Sequence, residues 1–518
     1  MALGDLGQWL GGGTPSKSRS EFWCNGTIPW ISPKDMKANR IIDTEDHITP
    51  AALGSSPTTM LEAGSVVVVV RSGILRHSLP VAVTRVDATL NQDLKGLRPS
   101  PAFVPDYVAY ALRRYEDILL QTCSKTGTTV QSVEFPEFLR FQIPVAPLSE
   151  QQRIVAAIEE QFTRLDAAVA GLKRTRANLK RYRAAVLAAA CSGRLVPTEA
   201  ELAAREGRGY EPADQLLERI LRERQERWEA DQLAKMQALG KVATSETWKR
   251  KYKQPLRPDH EILPNETLPD GWTWATLGQL AWSVKDGPHY SPKYVEDGIP
   301  FISGGNVRPS GVDFKSAKRI SPQLHEELSK RCKPELGDML YTKGGTTGIA
   351  RVNTYSHEFN VWVHVAVLKL VQSIEPFYLQ HTLNAPASHA QAQRYTHGVG
   401  NQDLGLTRMV NIVFALPPLS EQVRIVDEVD RRLSVIAELE TSLHHALARA
   451  ERLRQSVLQR AFEGKLVPQD PTDEPAEVLL ERIKQERATQ PTNGSWGRLR
   501  KARGMKPLFE LQEVGEQS

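Results

Sequence analysis

Two glycine-rich stretches hold the residues best suited to meet an anion: Arg71-Ser72-Gly73 and Lys343-Gly344-Gly345-Thr346. In each, a cation adjoins backbone that can turn tightly enough for its N–H groups to face a phosphate of a nucleic-acid backbone. The second is not a nucleotide loop, because Gly344-Gly345-Thr346-Thr347-Gly348 runs into Ile349 and lacks the lysine that would reach a phosphate. No GxSxG elbow, HExxH pair or paired CxxC cluster occurs. Nor is there an Asn/Asp-Pro-Pro-Tyr/Phe stretch, with which amino-methyltransferases hold a flipped base. The sequence therefore points away from catalysis and toward binding.

The elements that must position these loops are set by a duplication. Pro147-Leu148-Ser149-Glu150-Gln151 opens a long basic segment that ends at Gly193-Arg194-Leu195-Val196-Pro197. The same opening and ending return as Pro418-Leu419-Ser420-Glu421-Gln422 and Gly464-Lys465-Leu466-Val467-Pro468, both displaced by 271 positions. Proline, then a serine able to cap, then a glutamate facing the positive end of the dipole predict a helix start in each copy. Ile158, Phe162, Leu165, Val169, Leu172, Leu179 and Val186 recur by threes, fours and sevens, an a/d seam that expects a partner helix. Copy two keeps the register through Val429, Leu433, Ile436, Leu443 and Val457, with Glu440 in the slot of Val169 and Leu447 in that of Arg176. Pairing between the copies is expected, as a rod of roughly 60 Å.

Before each rod lies a strand-rich region with its own landmarks. Gly26-Thr27-Ile28-Pro29-Trp30-Ile31-Ser32 matches Gly298-Ile299-Pro300-Phe301-Ile302-Ser303, and the valine run of residues 64–73 matches residues 337–345. A short helix is expected over residues 105–120. The offsets drift between 271 and 274, so the two regions share a skeleton and differ between landmarks. Leu268-Pro269-Asp270-Gly271-Trp272-Thr273-Trp274 leads into the second region, whereas the first begins at Leu3-Gly4; either its start is placed late or its leading strand is lacking. After each rod comes a charged helix, at residues 212–220 and 475–483, serving as a buttress or as a docking face.

The net charge is only +5, but its distribution is uneven. No acidic residue lies between Ala167 and Thr198, where Lys173, Arg174, Arg176, Lys180, Arg181 and Arg183 crowd together. Trp248-Lys249-Arg250-Lys251-Tyr252-Lys253 interleaves aromatics and cations, and Arg498, Arg500, Lys501, Arg503 and Lys506 repeat the theme. Three such clusters favour phosphate contact. The four cysteines, Cys24, Cys123, Cys191 and Cys332, are widely spaced, which suits a reducing cytoplasm and no structural zinc. No apolar run is long enough for a membrane span.

The duplicated openings and endings, the two divergent regions between them and Gly127-Thr128-Thr129-Val130-Gln131 together resemble the DNA-specificity subunit of type I restriction-modification enzymes. The second half departs from the last motif with Gly398-Val399-Gly400-Asn401-Gln402, sharing only its glycine and glutamine. The resemblance implies an α+β fold, with two strand-rich mixed α/β target recognition domains separated by an antiparallel, coiled-coil-like pair of long helices about a pseudo two-fold axis. The expected division is 1–146 for the first recognition domain, 147–246 for the central long helix and buttress, 247–416 for a linker and the second domain, and 417–518 for the distal helix and tail. It further implies a non-catalytic chain that binds no cofactor or metal itself. Its partners would be double-stranded DNA, methyltransferase subunits using S-adenosylmethionine, and restriction-translocase subunits using ATP and Mg. The site would be bipartite and asymmetric, with a spacer of fixed length. A coiled-coil adaptor without sequence-specific binding is the alternative.

Arginine suits guanine, and asparagine or glutamine suits adenine. Candidate contacts are Ser32, Lys34, Arg71 and Gln131 in the first region and Ser303, Asn306, Arg308, Lys343 and Gln402 in the second. Lys34, Lys343 and the helix cations Lys173, Arg176 and Lys180 are expected on phosphates, and inserting four residues near Thr175 is expected to lengthen the spacer.

Overall fold

The computed structural model describes residues 1–125, 131–241, 245–258, 267–398 and 402–489. The basic tail from Arg498 to Lys506 and most of the Gly127–Gln131 and Gly398–Gln402 motifs lie outside them. Two compact units result, Met1–Gly171 with Ala446–Ser518, and Leu172–His445.

Unit 1 is built on a five-stranded sheet in the order Gly7–Gly11, Leu94–Pro99, Val66–Val69, Val81–Thr84, Arg40–Ile41. The strands pair antiparallel except the last, which runs parallel to its neighbour. Val66–Val69 is covered on both faces and fully buried, which is why its sequence is an unbroken valine run. A second sheet orders His47–Ile48, Ile28–Ile31, Ala88–Leu90, Met60–Leu61. Unit 2 repeats the plan: Ala281–Asp286, Val365–Leu370, Met339–Thr342, Ala350–Val352 in one sheet, and Lys318–Ile320, Ile299–Ile302, Asn360–Val361 in the other. Thr273–Thr276 pairs with Val413–Leu416 as a separate two-stranded sheet. In unit 1 the equivalent place is taken by Ala2, which bridges Gln142, and by Met1, hydrogen-bonded to Ile143. The single helix expected over residues 105–120 is two, Pro105–Arg114 and Glu116–Cys123, because Tyr115 leaves the helical region with ψ near 14°.

The long helices run from Leu148 to Ala190 and from Leu419 to Phe462. Within each unit the N-terminal half of one packs antiparallel on the C-terminal half of the other. In unit 1, Ile158 and Phe162 share an apolar cluster with Val457 and Phe462, and Asp166 pairs with Arg454. In unit 2, Val186 clusters with Ile425 and Val429, and Arg183 reaches the seam residue Glu440 at 3.3 Å. The Gly-Arg/Lys endings are explained by Gly193 and Gly464, both left-handed, at φ 68° and 69°. They let Arg194 N–H and Lys465 N–H reach back to the carbonyls of Ala189 and Arg460, closing each helix. No described helix is long and apolar enough to cross a membrane.

Ser149 is not the cap that its position suggests. The helix starts one residue earlier, with Gln151 N–H on the Pro147 carbonyl, and the Ser149 hydroxyl donates instead to Asp473 at 2.5 Å. Arg153 holds the same carboxylate at 2.6 Å. Unit 2 repeats the clamp with Arg424 on Glu199 at 2.6 Å. Burial opposes the charge of Glu199, yet hydrogen bonds from Arg208, Arg424 and Ser420 outweigh it and hold this carboxyl below its usual range.

The glutamine of each opening ties the helix to its strand-rich region. Fully buried Gln151 donates to the carbonyls of Ala146 and Ala102 and accepts from Val104 N–H at 3.0 Å. Gln422 donates to Pro417 and accepts from Glu375 N–H, also at 3.0 Å. Replacing Gln151 by alanine leaves these backbone groups unpaired and is expected to cost about 3 kcal/mol, read as a lower urea midpoint. An unchanged midpoint would show that water replaces the side chain without loss.

Glu421, also fully buried, accepts from the Trp272 indole at 3.1 Å and from Glu199 N–H at 2.8 Å. Burial outweighs both donors and pushes its carboxyl up from 4.5 to about 7. Folding thus favours the protonated form: the stabilisation is complete below pH 4.5 and is lost as pH rises through about 7. Relative to Glu421→Gln, the melting temperature of the parent chain is therefore expected to fall between pH 4.5 and about 7 and to level off above that, and a difference independent of pH would remove this assignment.

Candidate nucleic-acid interface

In each unit several loops meet at one end of the sheets. In unit 1, Val70 N–H and Arg71 N–H bond the Asp93 carbonyl, Asn91 N–H bonds the Ile31 carbonyl beside Ser32, and Ser72 N–H bonds the Gln131 carbonyl at 3.1 Å. Arg71 and Ser132 form a bridge. Unit 2 repeats this: Lys343 N–H bonds the His364 carbonyl, Trp362 N–H bonds the Ile302 carbonyl beside Ser303, and Gly344 bridges Asp403. Ser32, Arg71 and Gln131 are thus brought together on contiguous loops, as are Ser303, Lys343 and Gln402.

The side chains divide into those that face outward and those that build the loops. Arg71 and Arg308 have more than half of their side chains exposed, each on a single carboxylate, Asp93 at 2.7 Å and Asp313 at 3.0 Å. Lys34 is equally open, with Glu45 and Asp46 at 3.5 and 3.9 Å. Gln402 is exposed. Gln131 is half-buried, its side-chain oxygen enclosed without a hydrogen-bond partner among the described residues.

Ser32, Ser303 and Asn306 are occupied internally. Asp35 accepts from Ser32 N–H and hydroxyl at 2.8 and 2.9 Å, and Asn306 Oδ1 accepts from Ser303 N–H and hydroxyl at 2.9 and 2.7 Å. This Ser-x-x-Asp/Asn turn stands at the same offset in both halves, a signal that would have found Asp35. Lys343 is also turned inward, with a side chain 4% exposed and its amine 2.9 Å from Asp403 and 3.4 Å from Asp286. The backbone bonding makes its counterpart Val70 rather than Arg71, which is why it points into the domain. Burial and the neighbouring Lys343 ammonium hold the His364 imidazole below its ordinary range. A Cβ on Gly344 would lie 2.1 Å from His364 Nδ1, so this glycine is required by close packing.

Lys173, Arg176 and Lys180 are exposed on the first long helix, with no ion pair among the described residues. The aromatic-basic stretch is pinned: Trp248 stacks on Trp228, Tyr252 accepts from Arg224 at 2.8 Å, and Lys249 pairs with Glu246 and Glu229.

This geometry defines a duplicated α+β scaffold whose two loop surfaces share a frame and differ in side chains. The family model for the type I restriction modification DNA specificity domain matches residues 1–175 and 269–448, and the chain belongs to that family. The Escherichia coli EcoR124I/EcoR124II specificity subunit is 42% identical over 172 residues, covering 33% of this chain and 43% of that one. The Escherichia coli EcoBI specificity subunit is 26% identical over 67% of this chain and 64% of its own length. The chain thus spans less than two thirds of the length of either relative. A chain solved in work on complex assembly and conformational transition of the type I R-M system shares the fold. Its TM-score is 0.57 at 18% identity, over 90% of this chain and 97% of that one.

Proposed function

We propose that this chain is the DNA-specificity subunit of a type I restriction-modification system. Residues 1–146 read one half of a bipartite, asymmetric duplex site and residues 247–416 read the other, while the long helices of 147–246 and 417–518 fix the spacer. The chain is not itself catalytic. It brings methyltransferase subunits that use S-adenosylmethionine, and restriction-translocase subunits that use ATP and Mg, to the site in the cytoplasm. The observation that carries this reading is the loop constellation built twice on one frame with unlike side chains, Val70, Arg71 and Asp93 against Lys343, Gly344 and His364. Arg71, Arg308, Lys34 and Gln402 face the DNA, and Ser32, Ser303, Asn306 and Lys343 hold the loops that present them.

Site selection from a random duplex pool, with the methyltransferase partner co-expressed, tests the reading. Two unlike short motifs at one separation are expected; no enrichment would leave the chain as a helical adaptor. Replacing Lys173, Arg176 and Lys180 together by glutamine is expected to weaken binding to every duplex alike. The slope of log affinity against log salt should become shallower by about 0.9 for each phosphate that is no longer neutralised. A change in the selected sequence would mean that these side chains read bases instead.

A further inference from the structure

The two units differ at three positions that the backbone makes equivalent. Gly11 pairs with Lys95 and Asp286 with Ala366 at the same place in the sheet, Val70 and Lys343 bond the same loop carbonyl, and Ser132 and Asp403 form the same bridge. Glycine, valine and serine in unit 1 are aspartate, lysine and aspartate in unit 2. The Asp286 side chain is 3% exposed and the Lys343 side chain 4%, so a buried charge pair occupies a place where unit 1 has Gly11, beside which the Lys95 ammonium lies over the Phe135 ring without a carboxylate at the Gly11 position. Asp286 is the hub: Lys343 lies at 3.4 Å, Arg331 at 2.9 Å and His289 Nε2 at 3.5 Å. Lys343 in turn holds Asp403, next to Gln402, at 2.9 Å.

Such a cluster is a poor source of stability. Removing two charges from water costs about as much as their attraction returns, and apolar residues of similar size commonly do as well. In some proteins a buried pair instead fixes the position of the segments that carry it. Here these are the loop after Ala281–Asp286 that carries the exposed His289 and Tyr290, the Lys343–Gly345 turn, Arg331 just beyond the helix Pro322–Ser329, and Gln402–Asp403. Four segments distant in sequence are tied to two adjacent charges.

We propose that Asp286, acting through Lys343 and the half-exposed Asp403, is the positioning residue of the second recognition domain, fixing its reading loops by a charge relay centred on a buried pair that the first domain does not use. The inference rests on the DNA-specificity reading above. It assigns Asp286 no contact with a base. Its loss loosens what Gln402 and the His289–Tyr290 loop present, so the second half-site degrades while the first is untouched.

The test is random-pool selection with the full chain and its methyltransferase partner, run with thermal unfolding on the parent chain, Asp286→Asn and the triple variant Asp286→Gly/Lys343→Val/Asp403→Ser. A bipartite motif from the parent tests the DNA-specificity reading itself, and its absence sinks that reading rather than this one. The triple variant carries the uncharged residues of unit 1 and is expected to melt within a few degrees of the parent. Both variants should keep the first half-site and lose at least tenfold of the preference across the second. A second half-site retained by either folded variant overturns the proposal. If both unfold, Asp403→Asn decides, because it leaves the buried pair intact: relaxation of the second half-site alone supports the relay, and an unchanged site overturns it.

Discussion

Adding one heptad to each long helix, after Thr175 and after Ala446, is expected to lengthen the spacer of the selected site by about three base pairs and to leave both half-sites as they were. Seven residues extend a helix by ~10.5 Å, and a duplex rises ~3.4 Å per base pair. Seven is also the repeat that returns every seam residue to its own face. Both helices must change together, because each is fastened on either side of the insertion point. Asp166 is paired with Arg454 before it, and Arg183 with Glu440 after it. Four residues near Thr175 alone, the simpler insertion suggested by the sequence, advance one helix by about 40° beyond a full turn and set its seam against an unshifted partner. Site selection measures the result. A spacer unchanged after the paired insertion would remove the helices as the ruler.

Asn306→Ala is expected to erase much of the second half-site, rather than one base of it, and to destabilise the chain by about 2–4 kcal/mol. The side chain is buried and makes four hydrogen bonds. Two are accepted from Ser303, and two are donated at 3.2 Å, to the Asp313 carbonyl and the Ser316 hydroxyl. Truncation takes the acceptor from Ser303 and the donor from the Asp313 carbonyl, leaving Ser316 only its bond to the Asp313 carboxylate, in the turn that Gly304 packs against the Gly344 loop. Arg308→Ala is the control: it is exposed, loses one surface ion pair, and should relax a single position with no change in melting. Should Asn306→Ala instead alter one base pair and leave the melting curve in place, Asn306 is itself a reader.

The duplication, the two long helices, their seams and both of their ends were legible in the sequence, because helical periodicity and terminal motifs are local signals that repeat without insertion. The valine strand and the Ile-Pro-Trp/Phe-Ile strand were legible too, since burial on both faces leaves a continuous apolar run. The roles of individual polar residues were not. Ser149 looks like a cap until the helix starts one residue earlier and Asp473 claims its hydroxyl. Lys343 reads as the partner of Arg71 when Gly-rich strings are aligned, but hydrogen bonding places it where Val70 stands, turned into the protein. The acids that receive these cations, Asp93, Asp286 and Asp403, lie 22, 57 and 60 positions from them. Such pairs are fixed by sheet register, where a slip of one residue turns every side chain to the opposite face. That register is decided only when strands far apart in the chain come together, so the sequence determined the frame, and the tertiary structure decided which of its charges face outward.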